Sequence, residues 1–85
     1  MLEIKFSNIS QKFLNKCEET LYNRIMDKIK VLSKEPFPSD SVRVVNRKEK
    51  IFRVRVGDYR IIYGLLKEKN LIFISEINKR SKIYK

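Results

Sequence analysis

The chain of 85 residues contains no histidine and a single cysteine. The absence of histidine excludes a histidine acid–base pair and any serine–histidine or cysteine–histidine nucleophile. Cys17 has no partner for an internal disulfide, and one cysteine without histidine cannot form a credible zinc site. It falls on an apolar helical stripe with Phe13 and Leu21, which predicts a buried core thiol.

The chain also lacks a long hydrophobic run. Its longest apolar stretch, residues 61–66, is far shorter than the roughly 20 residues that a membrane-spanning helix needs. Residues 1–5 show no hydrophobic region of a signal peptide. We therefore expect a cytoplasmic protein with no membrane partner.

Positive charge is abundant and unevenly distributed. The chain has 20 basic and 10 acidic residues, a net charge of +10. Residues 1–42 carry a net +1 and residues 43–85 a net +9, so nearly all the excess lies in the second half. This excess indicates a polyanionic partner, such as nucleic acid, an anionic membrane or an acidic protein. The alternative is a solvated, lysine-rich surface.

The first part of the chain changes from strand to helix periodicity. Residues 2–6 alternate apolar and charged side chains, which is typical of a strand with one buried face. In residues 9–32 apolar side chains recur every three or four positions, and Pro36 prevents the helix from continuing. One helix of this length is long for so small a protein, so residues 18–20 are predicted to begin the second arm of a helical hairpin.

The second part of the chain predicts an antiparallel sheet. Strands are expected at residues 42–45, 51–56, 59–66 and 71–77, joined by turns at 47–50, 57–58 and 67–70. Hydrophobic residues make up 42% of the chain, which is enough for a globular fold. We predict one domain, residues 1–85, with an α+β fold: an N-terminal strand, a helical hairpin and an antiparallel sheet with the helices on one face.

The central hairpin is expected to gather three arginines. Alternation in residues 51–56 puts Arg53 and Arg55 on one face, and a two-residue turn at Gly57-Asp58 puts Arg60 directly opposite Arg55. Like charges placed opposite each other are destabilising, a cost that a bound anion would remove. Three guanidiniums on one open face predict a phosphate site. The alternative is that they are only the solvent face of the sheet.

The C-terminal segment, residues 78–85, adds four cations and Tyr84. A tyrosine among cations is a common arrangement for stacking on a base of single-stranded RNA. The alternative is that Tyr84 anchors the end of the chain to the sheet.

These residues resemble a known family. The run from Phe52 to Tyr63, FRVRVGDYRIIY, followed later by Lys79-Arg80 and Ile83-Tyr84, is similar to the RelE/ParE toxins. The order of strand, helical hairpin and antiparallel sheet matches that family along the whole chain. The resemblance implies the toxin of a type II toxin–antitoxin system, with a RelB-like antitoxin as its partner. For the RelE branch it implies a metal-independent, cofactor-free endoribonuclease that cleaves mRNA in the ribosomal A site.

The resemblance also implies roles for particular residues. Arg53 and Arg55 would contact and activate the RNA, and Arg60 would stabilise the phosphate. Arg80 would stabilise the leaving group, and Tyr84 would orient or stack the nucleotide.

One departure from the RelE branch concerns the general base. That branch carries lysines where this chain has Arg53 and Arg55, and arginine cannot give up its proton. Charge neutralisation and positioning would then supply most of the acceleration. Lys48, Lys50 and Tyr84 are the remaining candidates for the base, and the sequence does not choose among them.

Further RNA contacts are expected from Lys48, Lys50 and Lys82. Two other functions stay open: a ParE-like toxin that poisons DNA gyrase without cutting RNA, and a basic module that binds its partner without catalysis.

Overall fold

The computed structural model describes residues 1–44 and 50–79. The elements, in chain order, are β1 (Glu3–Phe6), α1 (Asn8–Lys16), α2 (Glu19–Lys34), β2 (Val42–Arg43), β3 (Ile51–Val56), β4 (Tyr59–Leu66) and β5 (Leu71–Lys79), with a 3-10 turn at Lys67–Lys69. This order confirms the predicted α+β fold.

The helical region is divided into two helices, as predicted. Ser7 caps α1 by accepting a hydrogen bond from the Ser10 N–H. The helix ends at Lys16, and Cys17 caps it by donating its N–H to the Phe13 carbonyl. Only Cys17 and Glu18 separate α1 from α2. Cys17 is partly buried, with its Sγ 3.6 Å from the Leu14 carbonyl oxygen, so the predicted core thiol lies at the edge of the core.

The first turn of α1 is held to β5 by serine side chains. Ser10 is fully buried, and its Oγ donates to the Ile74 carbonyl at 3.0 Å. The Ser7 Oγ donates to the Ser75 carbonyl at 2.7 Å. Ile9, the first residue of the apolar helical pattern, is 63% exposed. Because the serine contacts fix the rotation of the helix, Ser10 occupies the inward position instead.

The strands form one five-stranded sheet in the order β1-β5-β4-β3-β2. The strands β2 to β5 pair antiparallel with their sequence neighbours, as predicted. The strand β1 pairs parallel with β5, so that Ile4 lies beside Ile72. The two helices carry the chain away from β1, which makes this parallel pairing sterically accessible.

The predicted strand boundaries hold closely in the centre of the sheet and less well at its edges. The strands β3 and β4 have the predicted bounds, and β5 continues two residues further, to Lys79. The strand β2 contains only two residues. Most of the predicted turn at 47–50 lies outside the described residues.

The core lies between the helices and one face of the sheet. Its buried members are Leu14, Ile25, Ile29, Leu32, Val54, Val56, Ile61, Tyr63, Ile72, Ile74 and Ile77. The Tyr63 hydroxyl donates to the Pro36 carbonyl at 2.6 Å, which ties the end of the helical region to the centre of the sheet. Burial raises the pKa of Tyr63 to about 12. None of the helices in the described residues is long and apolar enough to cross a membrane.

Candidate functional site

The β3–β4 hairpin has the predicted register. Val56 lies opposite Tyr59, and Arg55 lies opposite Arg60. Gly57, the first residue of the turn, has a φ of +59°. This left-handed conformation is accessible to glycine and matches the first central position of a type II′ turn. The length and chemistry of the turn therefore set the pairing of the two arginines.

The three arginines Arg53, Arg55 and Arg60, hereafter the arginine cluster, share the sheet face opposite the core but differ in exposure. Arg55 is exposed, Arg53 is partly buried, and Arg60 is 0% exposed. The prediction of three guanidiniums on an open face is therefore wrong for Arg60. Its neighbour on the same face, Ile62, is also buried. A ligand on this face could touch Arg60 only after the atoms that cover it had moved.

The last strand adds two polar side chains to this face. Asn78 lies opposite Arg60, and Glu76 lies opposite Ile62. Their placement depends on a register shift where Ser75 is the extra residue in β5, between the pairs Ile62–Glu76 and Tyr63–Ile74. Sequence reasoning missed this bulge. The available signal was the spacing of buried isoleucines in β5, two from Ile72 to Ile74 and then three to Ile77.

Lys79 lies on the other side of the sheet from the arginine cluster. Its Nζ is 5.9 Å from the centre of the Tyr59 ring, which in turn packs edge-on against the Phe13 ring at 5.6 Å. Alternation along β5 therefore turns Lys79 away from the cluster. Tyr59 and Tyr63, both part of the family-like motif, pack against hydrophobic side chains on the core face.

The structure separates Lys50 from Arg55, the exposed member of the arginine cluster. Lys50 is exposed and immediately precedes β3, whereas Arg55 stands at the hairpin end of that strand. At about 3.3 Å per residue, their backbones are roughly 16 Å apart. The other candidates, Lys48, Arg80, Lys82 and Tyr84, lie outside the described residues, and their predicted roles stay predictions.

Arg24 of α2 lies against the turn that connects Arg55 to Arg60. A Cβ added to Gly57 would be 3.0 Å from Arg24 Nη2, 3.4 Å from Nη1 and 3.6 Å from Cζ. The guanidinium thus occupies the space that a side chain at position 57 would need. Sequence reasoning did not single out Arg24, because an arginine on the polar face of a helix carries no local signal of a tertiary contact.

An ion pair lies on the same side of the protein as Arg24. Lys28 Nζ is 2.7 Å from Asp40 Oδ2, and this hydrogen bond lowers the pKa of Asp40. Lys28 lines a shallow depression with Arg24 and Arg55. In residues 1–44 and 50–79, no group of three or more histidine, cysteine or carboxylate side chains is placed to hold a metal ion.

The fold is shared with solved toxin structures. The chain is similar to a chain of the archaeal RelE–RelB complex from Pyrococcus horikoshii OT3, at 24% identity and a TM-score of 0.79, covering 95% of this chain and 97% of that one. It is also similar to a chain of the intact Escherichia coli RelBE toxin–antitoxin complex, at 16% identity and a TM-score of 0.79, covering 93% of this chain and 96% of that one. The isolated E. coli RelE toxin is similar at 18% identity and a TM-score of 0.80, covering 99% of this chain and 92% of that one. These likenesses show a RelE fold.

A family model identifies the family to which the chain belongs. The model of the ParE toxin of the type II toxin–antitoxin system parDE matches residues 4–84. The chain therefore belongs to this toxin family, within the RelE/ParE superfamily. No curated protein matches it by sequence.

Proposed function

We propose that this toxin is a ribosome-dependent, metal-independent endoribonuclease that cleaves mRNA in the A site. The observation that carries the proposal is the pairing of Arg55 with Arg60 on the face away from the core, with Arg53 beside them. Guanidiniums gathered at this density suit the bidentate binding of phosphoryl oxygens. The RelE fold of the structures described above supports the choice of RNA as the substrate.

The proposed reaction is an in-line displacement within the RNA. The ribose 2′-oxygen attacks the adjacent phosphorus, and the bond from phosphorus to the 5′-oxygen breaks. The products are a 2′,3′-cyclic phosphate and a 5′-hydroxyl, which takes up a proton. Negative charge accumulates on the phosphoryl oxygens in the transition state, so prearranged cations near them lower the barrier.

Within this proposal, Arg55 is the group that first meets the phosphate, because it is the exposed member of the arginine cluster. Arg53, partly buried two residues away, holds the neighbouring part of the RNA backbone. Arg60 stabilises the phosphate only once it has been uncovered. Arg80 is proposed to stabilise the leaving oxygen, and Tyr84 to stack on the nucleotide.

The general base cannot be an arginine of this cluster, since the guanidinium stays protonated. Lys50 is a poor candidate, because about 16 Å of extended strand separate it from Arg55. Lys48 and Tyr84 remain candidates, and Lys82 is proposed to contact RNA together with Lys48 and Lys50. Most of the acceleration is assigned to positioning and to neutralising charge.

The proposed partners are a RelB-like antitoxin, the ribosome and mRNA, in the cytoplasm. The similar chains from P. horikoshii and E. coli were solved as complexes of toxin with antitoxin, which supports the antitoxin. A partner that binds only the folded toxin raises its apparent stability. Co-expression with the neighbouring small open reading frame should therefore raise the melting temperature and abolish toxicity.

A second candidate function has its own support. Because the matching family model is that of the ParE toxins, a toxin that poisons DNA gyrase without cutting RNA is the alternative. The two functions differ in the molecule that is damaged. Primer extension on mRNA from cells expressing the toxin would detect cleavage, and a supercoiling assay with purified gyrase would detect poisoning.

The controls for this experiment come from the same chain. Arg55→Ala removes the exposed member of the arginine cluster, whereas Lys30→Ala removes an exposed cation of α2. The proposal expects cleavage by the wild type and the Lys30 variant and none by the Arg55 variant. Gyrase inhibition with intact mRNA would overturn it in favour of the alternative.

A further inference from the structure

A side chain from α2 lies next to the turn of the β3–β4 hairpin. Arg24 belongs to α2, and its guanidinium is 3.0 to 3.6 Å from the place where a Cβ of residue 57 would stand. Both Nη atoms lie nearer this point than Cζ does, so the forked end of the guanidinium faces the turn. Only glycine leaves this space open.

The turn at Gly57 determines the positions of two arginines of the site. Arg55 and Arg60 are the second pair from the turn, after Val56 and Tyr59. A movement of Gly57 relative to α2 would therefore shift both guanidiniums together, away from the sheet position on which their approach to RNA depends. Catalysis that relies on prearranged charge is sensitive to such shifts, since a displacement of about 1 Å can cost roughly 100-fold in rate.

We propose that Arg24 is a positioning residue that holds the Gly57 turn and, through it, Arg55 and Arg60; the effect on cleavage rests on the proposed ribonuclease function. Arg24 contributes the forked end of its guanidinium, not simply a positive charge. Lysine carries the same charge as a compact ammonium on a flexible stem, so it does not replace the two nitrogens that face the turn. This separates the proposal from one in which Arg24 is another cation that attracts RNA.

The alternative is a purely electrostatic role for Arg24, which predicts different results. If Arg24 only attracted RNA, Arg24→Lys would retain function, and Arg24→Ala would lower the salt dependence of RNA binding by about one phosphate contact. Arg24 and Arg55 line the same depression, so the position of Arg24 fits both a positioning and an electrostatic role. The variants described next distinguish the two roles.

The test uses the full chain with four variants: Arg24→Ala, Arg24→Lys, Gly57→Ala and the control Lys30→Ala. The first measurement is hydrogen exchange of the backbone amides at residues 56–59 in the free toxin, which needs neither RNA nor ribosome. We expect several-fold faster exchange in both Arg24 variants and in Gly57→Ala, and no change in the control. Circular dichroism and thermal unfolding check that each variant is folded.

The second measurement is single-turnover cleavage on programmed ribosomes. We expect both Arg24 variants to cleave roughly ten- to 100-fold more slowly at saturating ribosome. The ribosome concentration that gives half-maximal rate and the salt dependence of RNA binding should be unchanged. Arg24→Ala combined with Gly57→Ala should show less than the product of the two separate losses, because Arg24→Ala removes the guanidinium that the added Cβ of residue 57 would meet.

Rescue of cleavage by Arg24→Lys, or unchanged amide exchange in Arg24→Ala, would overturn the positioning role. A wild type that does not cleave RNA would overturn the proposed function instead. In that event the exchange measurement alone decides whether Arg24 holds the turn.

Discussion

Arg60 is fully buried, and Arg55, directly opposite it across the hairpin, is exposed. Directly opposed side chains on neighbouring strands have Cβ atoms only about 5 Å apart. The two side chains therefore leave the sheet close together, but Arg60 is buried and Arg55 is exposed to solvent. Their removal should have different consequences.

The first prediction separates stability from function at this pair. Arg60→Ala should lower the free energy of unfolding by about 3 kcal/mol, because it removes a large buried side chain with its polar contacts. Arg55→Ala should change it by less than about 0.5 kcal/mol, as is usual for an exposed side chain. Urea denaturation of both variants measures the difference. Equal effects would mean that Arg60 is not enclosed in solution.

The second prediction concerns salt. If several cations of residues 43–85 contact single-stranded RNA, the logarithm of affinity should fall with the logarithm of salt concentration by about 0.7 per phosphate contacted. Arg55→Ala should reduce this slope by roughly one contact, and Lys30→Ala should leave it unchanged. Fluorescence anisotropy with a short RNA provides the titration. A flat salt response would contradict the assignment of a basic RNA-binding surface.

The third prediction compares two neighbouring cations. Lys79 is turned toward Tyr59 on the core face, so Lys79→Ala should leave cleavage nearly unchanged. Arg80→Ala should slow cleavage by about 100- to 1000-fold, the usual loss when a positioned donor to developing charge is removed. Both variants should keep their fold and their antitoxin binding. Single-turnover cleavage measures the rates, and equal, mild losses would reduce the tail to a diffuse attraction.

The fourth prediction concerns the buried tyrosine. Burial raises the pKa of Tyr63 to about 12, above the value of about 10 for an exposed tyrosine. The folded state therefore keeps a proton that the unfolded chain releases. The resulting stabilisation, at most about 3 kcal/mol, is fully present below pH 10 and is lost as the pH rises toward 12.

Tyr63→Phe should remove this alkaline loss and should also remove the hydrogen bond to Pro36, at a cost of about 1 kcal/mol near neutral pH. Tyr22→Phe is the matched control, because Tyr22 is exposed on α2. Denaturant unfolding at pH 7 to 11.5 compares the three proteins. If the Tyr63→Phe variant lost stability as steeply as the wild type above pH 10, the raised pKa would not be the cause.

Much of this protein was determined locally by the sequence. The central hairpin follows from alternation in residues 51–56, from the apolar run in residues 61–66 and from Gly57 at the turn, so the pairing of Arg55 with Arg60 could be predicted without coordinates. The end of α2 follows from Pro36, and the concentration of positive charge follows from composition. These features depend on interactions between residues that are close in the chain.

Other features were decided only by the tertiary structure. The burial of Arg60, the parallel pairing of β1 with β5, and the contact of Arg24 with Gly57 all join parts of the chain that are far apart in sequence. The same is true of Ser10, which replaces Ile9 on the inner side of α1 because it bonds to Ile74. Periodicity records which side chains are apolar, whereas burial and contact depend on what the rest of the chain places beside them.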